Sequence, residues 1–203
     1  MAHTTKKEQC KVLSTIGARN YATEDREEND YYATPPKAVE LLLQREQFRK
    51  VIWECACGEG HISRVLETNG HSVFSSDLID RGYGVKMDFL SEKSVPEEIV
   101  GKEFDLITNP PYSKSLEFVR HALDLLKPGC KAAMFLKIQF LEGKERRKLY
   151  DELPPKTVYI SSGRLVCAKN GDFEAYKGAN AVGYAWFLWE KGWTGETVLK
   201  WFN

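Results

Sequence analysis

A strand, a glycine-containing loop, a helix and a second strand follow one another between residues 51 and 77. The apolar run at 51–55 predicts a buried strand, and the loop at 56–60 follows it. A second strand at 72–76 ends at Asp77. This order is typical of a nucleotide-binding βαβ unit, in which glycines let the backbone approach a ligand and the terminal acid accepts hydrogen bonds from ribose hydroxyls. Ser63 stands where the Gly-x-Gly-x-x-Gly fingerprint of NAD-binding proteins needs glycine, so that fingerprint is incomplete.

Strands and helical patterns continue to alternate after Asp77, which predicts a mostly parallel sheet. Further strands are predicted at 85–90, 104–108, 132–136, 157–160, 184–189 and 197–202. The 203 residues are enough for one domain with a full hydrophobic core. We therefore expect a single α/β domain at 30–203. A polar segment at 1–29 precedes it, lacks sustained periodicity and is expected to be partly disordered.

The loop Asn109-Pro110-Pro111-Tyr112 directly follows the predicted strand at 104–108. Two consecutive prolines end that strand, because neither has a backbone N–H to donate. The loop therefore presents an amide side chain, a carbonyl without a local partner and an aromatic ring. At the carboxyl end of a strand in an open α/β sheet, such groups face the ligand crevice. We expect a site that holds a flat molecule by its amino edge.

Charge and cysteine usage limit the functional classes. The 29 basic and 29 acidic residues give a formal net charge of zero, which counts against strong non-specific nucleic-acid binding. The most basic stretch, at 137–155, carries Lys144, Arg146, Arg147 and Lys148, and either a solvated helix face or a phosphate-contacting face would explain it. Five cysteines without a disulfide-framework spacing, and the lack of a signal-peptide pattern or a membrane-spanning run, favour a cytoplasmic protein.

Cys55, Cys57 and His61 lie near the glycine loop but lack the paired spacings of common zinc sites. We interpret the two cysteines as small buried residues that line the loop, and we expect no metal.

Two further positions have both a structural and a functional interpretation. Thr34 suits the N-cap of a helix with Pro35 at its first position, and the free N–H groups there could bind a carboxylate. Asp88, at the end of the strand at 85–90, could accept a hydrogen bond from an exocyclic amine, with Phe89 against the ring. The alternatives are a simple capped helix and a turn acid.

Together these motifs resemble those of the class I S-adenosylmethionine-dependent methyltransferases. The resemblance rests on Thr34-Pro35-Pro36, residues 54–60, Asp77, Asp88-Phe89 and the Asn109 loop, and it covers about residues 30–190. The Asn-Pro-Pro-Tyr form is similar to that of the branch that methylates planar amino groups. The whole chain most resembles short phage- and prophage-type DNA adenine methyltransferases, and its motif order resembles the gamma arrangement. The family fold would be a Rossmann-like, doubly wound, mostly parallel seven-stranded sheet with an antiparallel C-terminal hairpin.

The resemblance implies S-adenosyl-L-methionine as cofactor, S-adenosyl-L-homocysteine as product, and no metal. Thr34 would meet the methionine carboxylate, Asp77 the ribose hydroxyls and Asp88 the amino group of the cofactor. The implied cofactor-binding residues are Thr34, Glu54, Ala56, Cys57, Gly58, Gly60, Asp77, Leu78, Asp88 and Phe89. Glu54-Cys55 replaces the more frequent acid-proline pair of the family.

The resemblance also implies the catalytic residues Asn109, Pro110, Pro111 and Tyr112. The Asn109 side-chain oxygen and the Pro110 carbonyl would accept the two amine hydrogens, and Tyr112 would stack on the base. Phe140, Arg164 or Phe173 could cover the other face of the base, and the sequence does not choose among them. Segments 137–155 and 161–180 would read the target.

DNA is the partner that the resemblance favours, with no membrane involved. An RNA base or a protein glutamine is the alternative substrate, because the same loop serves both kinds of enzyme. A catalytically silent binding protein of the same fold is a further alternative, and an NAD-dependent oxidoreductase is the weakest.

Overall fold

The computed structural model describes residues 31–93, 95–169, 171–173 and 182–203. The predicted polar segment at 1–29, and residues 170 and 174–180 of the predicted target-reading segment at 161–180, lie outside the described residues. No helix within the described part of the chain is long and apolar enough to cross a membrane.

Short strands and helices alternate along the described chain. The strands are β1 (Tyr32–Ala33), β2 (Val51–Glu54), β3 (Ser72–Asp77), β4 (Val85–Lys86), β5 (Phe104–Thr108), β6 (Lys131–Lys137), β7 (Thr157–Ile160), β8 (Ala168–Lys169), β9 (Tyr184–Glu190) and β10 (Val198–Trp201). The α-helices are α1 (Pro36–Leu43), α2 (His61–Thr68), α3 (Ser115–Leu125) and α4 (Lys144–Glu152), and short 3-10 helices form at Tyr112–Lys114 and Ile138–Leu141.

Within the described residues the main sheet has eight strands, in the order β10-β7-β9-β6-β5-β2-β3-β4. Only β9 runs antiparallel to its neighbours, β6 and β7, among the strand pairs described in this sheet. The predicted doubly wound, mostly parallel α/β domain with an antiparallel C-terminal strand pair is therefore confirmed. The sheet has one strand more than the predicted seven, because β10 adds to the edge in parallel with β7.

The predicted strand at 85–90 is only partly correct. Pairing with β3 covers Val85 and Lys86 alone, so Asp88 and Phe89 follow the strand rather than end it.

Both faces of the sheet are covered. Along β5, Leu106 belongs to a core cluster with Phe118 and Val119 of α3, whereas Ile107 belongs to a second cluster with Val39 of α1. Successive strand side chains point to opposite faces, so a strand buried on both sides reads as a continuous apolar run. This explains why the strand at 104–108 is evident in the sequence.

A second, two-stranded sheet joins the beginning of the described chain to a later loop. β1 pairs antiparallel with β8, with Tyr32 opposite Lys169 and Ala33 opposite Ala168. This pairing was not predicted from the sequence. It fixes the backbone of Tyr32, which also contacts the Asn109 loop.

Candidate active site

A cavity of about 490 Å³ is lined by residues at or just after the carboxyl ends of β2, β3 and β5. The chain proceeds from β2 to β3 and β4 on one side and places β5 on the other side of β2. Ligands of open α/β sheets bind at such a reversal of strand order. The predicted site residues in the cavity wall are Thr34, Glu54, Ala56, Cys57, Asp77, Leu78, Asp88, Phe89, Asn109 and Pro111.

Asn109 has one side-chain atom engaged and one unpaired. Its amide nitrogen donates a hydrogen bond to the Tyr32 carbonyl at 2.8 Å. Its Oδ1 is buried and accepts no hydrogen bond from any described residue. Because only the amide nitrogen can donate to a carbonyl, this contact fixes which end of the amide stays available. Asn109, a residue of the cavity wall, therefore carries a buried acceptor that no described group satisfies.

Thr34 also brings an unpaired polar atom to the cavity. The residue is 2% exposed and its Oγ1 has no partner among the described groups. The predicted N-cap role is wrong by one residue, because α1 begins at Pro36 with Pro35 at the N-cap. Leaving a buried hydroxyl unpaired costs about 1–3 kcal/mol. Thr34 Oγ1 and Asn109 Oδ1 are thus two unpaired polar atoms in residues of one cavity. They indicate a site in which a polar ligand would supply the missing hydrogen bonds.

Asp77 ties the glycine loop to the end of β3. One carboxylate oxygen accepts a hydrogen bond from the Gly58 N–H at 2.8 Å, and the other accepts from the Ile79 N–H at 2.9 Å. A carboxylate oxygen has more than one acceptor position, so both oxygens can also receive hydroxyl donors. The carboxylate therefore shapes the loop and still suits a ribose.

The two loop glycines make room for tyrosine rings. Gly58 has φ of +54° and a Cβ there would lie 2.3 Å from Cε2 of Tyr31. Gly60 has φ of +81° and a Cβ there would lie 2.5 Å from Cδ1 of Tyr83. The glycines are thus required by a left-handed backbone and by protein packing. That they also allow a ligand to approach the backbone stays a prediction.

Glu54 ends β2 in a buried position and accepts a hydrogen bond from the Ser63 hydroxyl. Burial raises the pKa of the Glu54 carboxyl well above its ordinary value, although the Ser63 hydrogen bond opposes the shift. The buried site therefore favours the neutral acid. A cation placed beside it would favour the carboxylate.

The Asp88-Phe89 pair lies at the cavity with different exposures. Asp88 is exposed and accepts a hydrogen bond from the Leu90 N–H at 3.1 Å. Phe89 is 2% exposed and packs edge-on against Trp53, with ring centroids 5.2 Å apart. Phe89 therefore belongs to the core and to the cavity wall at once.

Tyr112 lies behind the cavity wall, in contact with other aromatic rings. It stacks on Tyr32 with ring centroids 5.8 Å apart and an interplanar angle of 29°. Its hydroxyl donates to Sγ of Cys167 at 3.7 Å, and the Lys137 ammonium lies 4.4 Å from the ring centroid. Tyr32 is a residue of the cavity wall, whereas Tyr112 is not.

The three residues predicted to cover a bound base have separate locations. Phe140 is a correction: it is 7% exposed and packs against Phe187 in the core, with ring centroids 5.4 Å apart. Arg164 is exposed and lies outside the cavity wall. Phe173 packs edge-on against His61, a residue of the wall, with ring centroids 5.5 Å apart.

An aromatic and basic group at the cavity was not predicted from the sequence. Tyr31 and Arg81 both line it, with the Arg81 guanidinium 4.3 Å from the Tyr31 ring centroid. The Tyr31 hydroxyl lies 3.5 Å from Nδ1 of His61, and burial lowers the pKa of His61. In the sequence, the pair Tyr31-Tyr32 is separated from Thr34 by one residue, and this pair could have indicated the aromatic part of the group.

Cys55 and Cys57 are buried beside the glycine loop, as predicted. Burial raises the pKa of the Cys57 thiol, which keeps it protonated. In the described ranges, no group of three or more His, Cys, Asp or Glu residues is arranged to hold a metal ion.

No family model matches the sequence, and no curated protein is significantly similar to it. Solved methyltransferase structures nevertheless share the fold. A methyltransferase subunit of a type I restriction-modification system from Streptococcus thermophilus has a TM-score of 0.59 at 16% identity, over 86% of this chain and 48% of that subunit. This chain therefore spans about half the length of that subunit.

Two other structures are matched over more of their own length. A Listeria monocytogenes protein assigned to the class I S-adenosylmethionine-dependent methyltransferases has a TM-score of 0.59 at 15% identity, over 95% of this chain and 70% of that protein. A Pyrococcus horikoshii protein assigned as an RNA methyltransferase has a TM-score of 0.57 at 14% identity, over 93% of this chain and 99% of that protein. At these identities the likeness is one of fold.

Proposed function

We propose that this protein is an S-adenosylmethionine-dependent methyltransferase that acts on the exocyclic amino group of adenine in DNA. The observation that carries the proposal is the buried, unpaired Oδ1 of Asn109 in the cavity wall, held in orientation by the Tyr32 carbonyl. An amide oxygen fixed in this way is suited to accept a hydrogen from an amine. The Asn109 oxygen accepts no hydrogen bond from the described residues.

The cavity suits the proposed cofactor in size and in the groups it presents. Its volume of about 490 Å³ lies within the range of ligand pockets. The Thr34 hydroxyl would bind the carboxylate, Asp77 the ribose hydroxyls, and Phe89 the adenine ring. Glu54 lies where it could compensate the ammonium group. When bound, S-adenosyl-L-methionine would supply a methyl group activated by its attachment to a sulfonium.

The residues of the Asn109 loop would prepare the amine. An aryl amine is a poor nucleophile because its lone pair is delocalised into the ring. The Asn109 oxygen and the Pro110 carbonyl would each accept one amine hydrogen, which favours a pyramidal nitrogen with its lone pair directed out of the ring plane. Asn is not basic near neutral pH, so these residues position and polarise the amine instead of removing its proton first.

The choice of polymer rests on the likeness in fold. The likeness in fold to a restriction-modification methyltransferase subunit favours DNA. In a duplex the target base would have to leave the stack to reach the cavity. RNA is the second candidate, because the Pyrococcus horikoshii protein assigned to RNA methylation is matched over almost its whole length.

A labelling experiment tests the proposal. The protein is incubated with S-adenosylmethionine labelled in its methyl group and with DNA, RNA or a protein release factor in separate reactions. Each polymer is then digested and the modified unit is identified by mass spectrometry. We expect label on the amino group of adenine in DNA. Label on an RNA base or on glutamine would replace the proposed substrate, and no label in any polymer would support a silent binding protein.

A further inference from the structure

We propose that Tyr32 is a further substrate-binding residue, and that its ring and the ring of Tyr112 enclose a planar amine between them. The assignment rests on the proposed function, because it requires a planar amine in this site. It also favours an aromatic base as the substrate, since a base fills the area between two such rings, whereas the small amide of a glutamine side chain covers little of it.

The first support is the arrangement of the two rings. Tyr32 and Tyr112 face each other at 5.8 Å with an interplanar angle of 29°. Tyr32 is a residue of the cavity wall, so this side of the ring pair adjoins the proposed ligand site. None of the three residues first considered for this role faces Tyr112 in a described ring pair, and Phe140 is held in the core.

The second support is that Tyr32 also orients the reacting amide. Its carbonyl accepts the 2.8 Å hydrogen bond from Asn109, which engages the amide nitrogen and leaves Oδ1 unpaired. One residue therefore carries an aromatic ring and fixes the acceptor for the amine. A base held by this ring would have its amino edge near the amide oxygen, because both contacts start from the same backbone unit.

The spacing of the two rings indicates that the pair must open before a planar molecule can lie between them. A planar molecule between two rings needs about 7–8 Å from ring to ring, since each contact between carbon atoms takes about 3.5–4 Å. The present 5.8 Å is shorter, so the pair must open. Tyr112 is held by its hydroxyl contact with Cys167 and by packing on Tyr184, with ring centroids 6.1 Å apart. We infer that the two rings separate when the base enters, while the β1–β8 pairing keeps the backbone of Tyr32 in place.

Substitutions of Tyr32 separate the ring from the carbonyl, because the backbone contact to Asn109 does not depend on the side chain. The variants are Tyr32→Ala, Tyr32→Leu and Tyr32→Phe, with Trp201→Ala as the control. Trp201 is 63% exposed on the edge strand β10. Each variant is characterised by its thermal unfolding, its Kd for S-adenosylmethionine, and its kcat and KM for the polymer that the wild type methylates.

We expect Trp201→Ala to resemble the wild type, and Tyr32→Phe, which keeps the stacking ring, to have a KM for the polymer much closer to the wild-type value than that of Tyr32→Leu. Tyr32→Ala and Tyr32→Leu should raise KM for the polymer about 10-fold, as expected for the loss of one stacking partner. Their Kd for the cofactor should change much less. If the alanine variant does not fold, the comparison of leucine with phenylalanine decides, since leucine keeps apolar volume without a stacking face.

A spectroscopic measurement excludes a merely structural role. The methylated adenine is replaced by 2-aminopurine, whose fluorescence is quenched by stacking, and emission is compared at saturating enzyme. The Tyr32→Leu complex should be brighter than the Tyr32→Phe complex. Equal emission and equal KM in an active enzyme would overturn the assignment and leave the proposed function intact. A wild-type protein that methylates no amine would overturn both.

Discussion

The side-chain nitrogen of Asn109 donates a 2.8 Å hydrogen bond to the backbone carbonyl of Tyr32, 77 residues earlier in the chain. This contact requires a donor on the side chain at position 109. A carboxylate has the same shape as the amide but presents two acceptors. The hydrogen bond therefore distinguishes asparagine from aspartate at this position.

We predict that Asn109→Asp lowers kcat/KM for methyl transfer at least about 10-fold, and that Asn109→Ala lowers it about 100-fold or more. The aspartate would face the Tyr32 carbonyl with an oxygen and turn away from its present position. Initial rates at several polymer concentrations measure the effect. Asn69→Ala, on the exposed end of α2, is the matched control and should keep wild-type rates. Unchanged activity in Asn109→Ala would rule out the proposed role of the amide.

Gly60→Ala should destabilise the folded protein by about 1–3 kcal/mol through its left-handed backbone, and further through contact with Tyr83. Gly70 offers a matched control, because its φ is +87° and a Cβ there meets no described atom within 4 Å. Urea unfolding of both variants measures the difference. Gly60→Ala should cost more than Gly70→Ala, and adding Tyr83→Ala should recover part of the excess. Equal costs would mean that the Tyr83 ring moves aside freely.

The positions of Asp77 and Asn109 could be predicted from the sequence because each follows a buried strand. The carboxyl ends of parallel strands meet at one edge of the sheet, so local patterns were sufficient to place both residues in one cavity. The Tyr32–Asn109 contact could not be predicted, because it depends on the pairing of two strands of two residues each. Such strands are too short to show a periodic pattern.

The errors at Thr34 and Phe140 have different physical origins. Two consecutive prolines follow Thr34, and either could begin the helix, so the sequence left the helix start uncertain by one residue. Phe140 follows a buried strand and could equally face a ligand or the core. Its burial against Phe187 depends on β9, which lies far away in the sequence.

We predict that Glu54 makes the ligand-free protein less stable as the pH rises. Burial raises its pKa in the folded state, whereas the unfolded chain has a Glu pKa of about 4.3. Between these two pKa values the unfolded state binds fewer protons, so the free energy of unfolding falls with rising pH. The contribution is fully present below the unfolded pKa and is lost as the pH rises through the folded one.

Urea unfolding between about pH 5 and pH 8 tests this prediction. The slope of the free energy of unfolding against pH is proportional to the difference in bound protons between the unfolded and the folded state. Glu54→Gln should be less dependent on pH than the wild type over this window. Glu97→Gln, at an exposed position, is the control and should keep the wild-type slope. A wild-type slope in Glu54→Gln would mean that the carboxyl is already ionised in the folded protein.

Thr34→Val should separate stability from cofactor binding. Valine has nearly the shape of threonine and replaces the buried, unpaired hydroxyl with a methyl group. Removing an unsatisfied polar group relieves a penalty of about 1–3 kcal/mol, so the ligand-free protein should be as stable as the wild type or more stable. The same change removes a hydrogen bond to the proposed carboxylate, and the Kd for S-adenosylmethionine should rise about 3- to 10-fold.

Calorimetric titration and urea unfolding of the same samples measure both effects of Thr34→Val. Thr34→Ser is the matched control, because it keeps the hydroxyl and should bind the cofactor nearly as well as the wild type. Unchanged or higher stability together with weaker cofactor binding would identify a binding role for Thr34. Substitution of a residue that only supports the fold would lower stability and affinity together. A valine variant that is less stable, with unchanged affinity for the cofactor, would remove Thr34 from the proposed site.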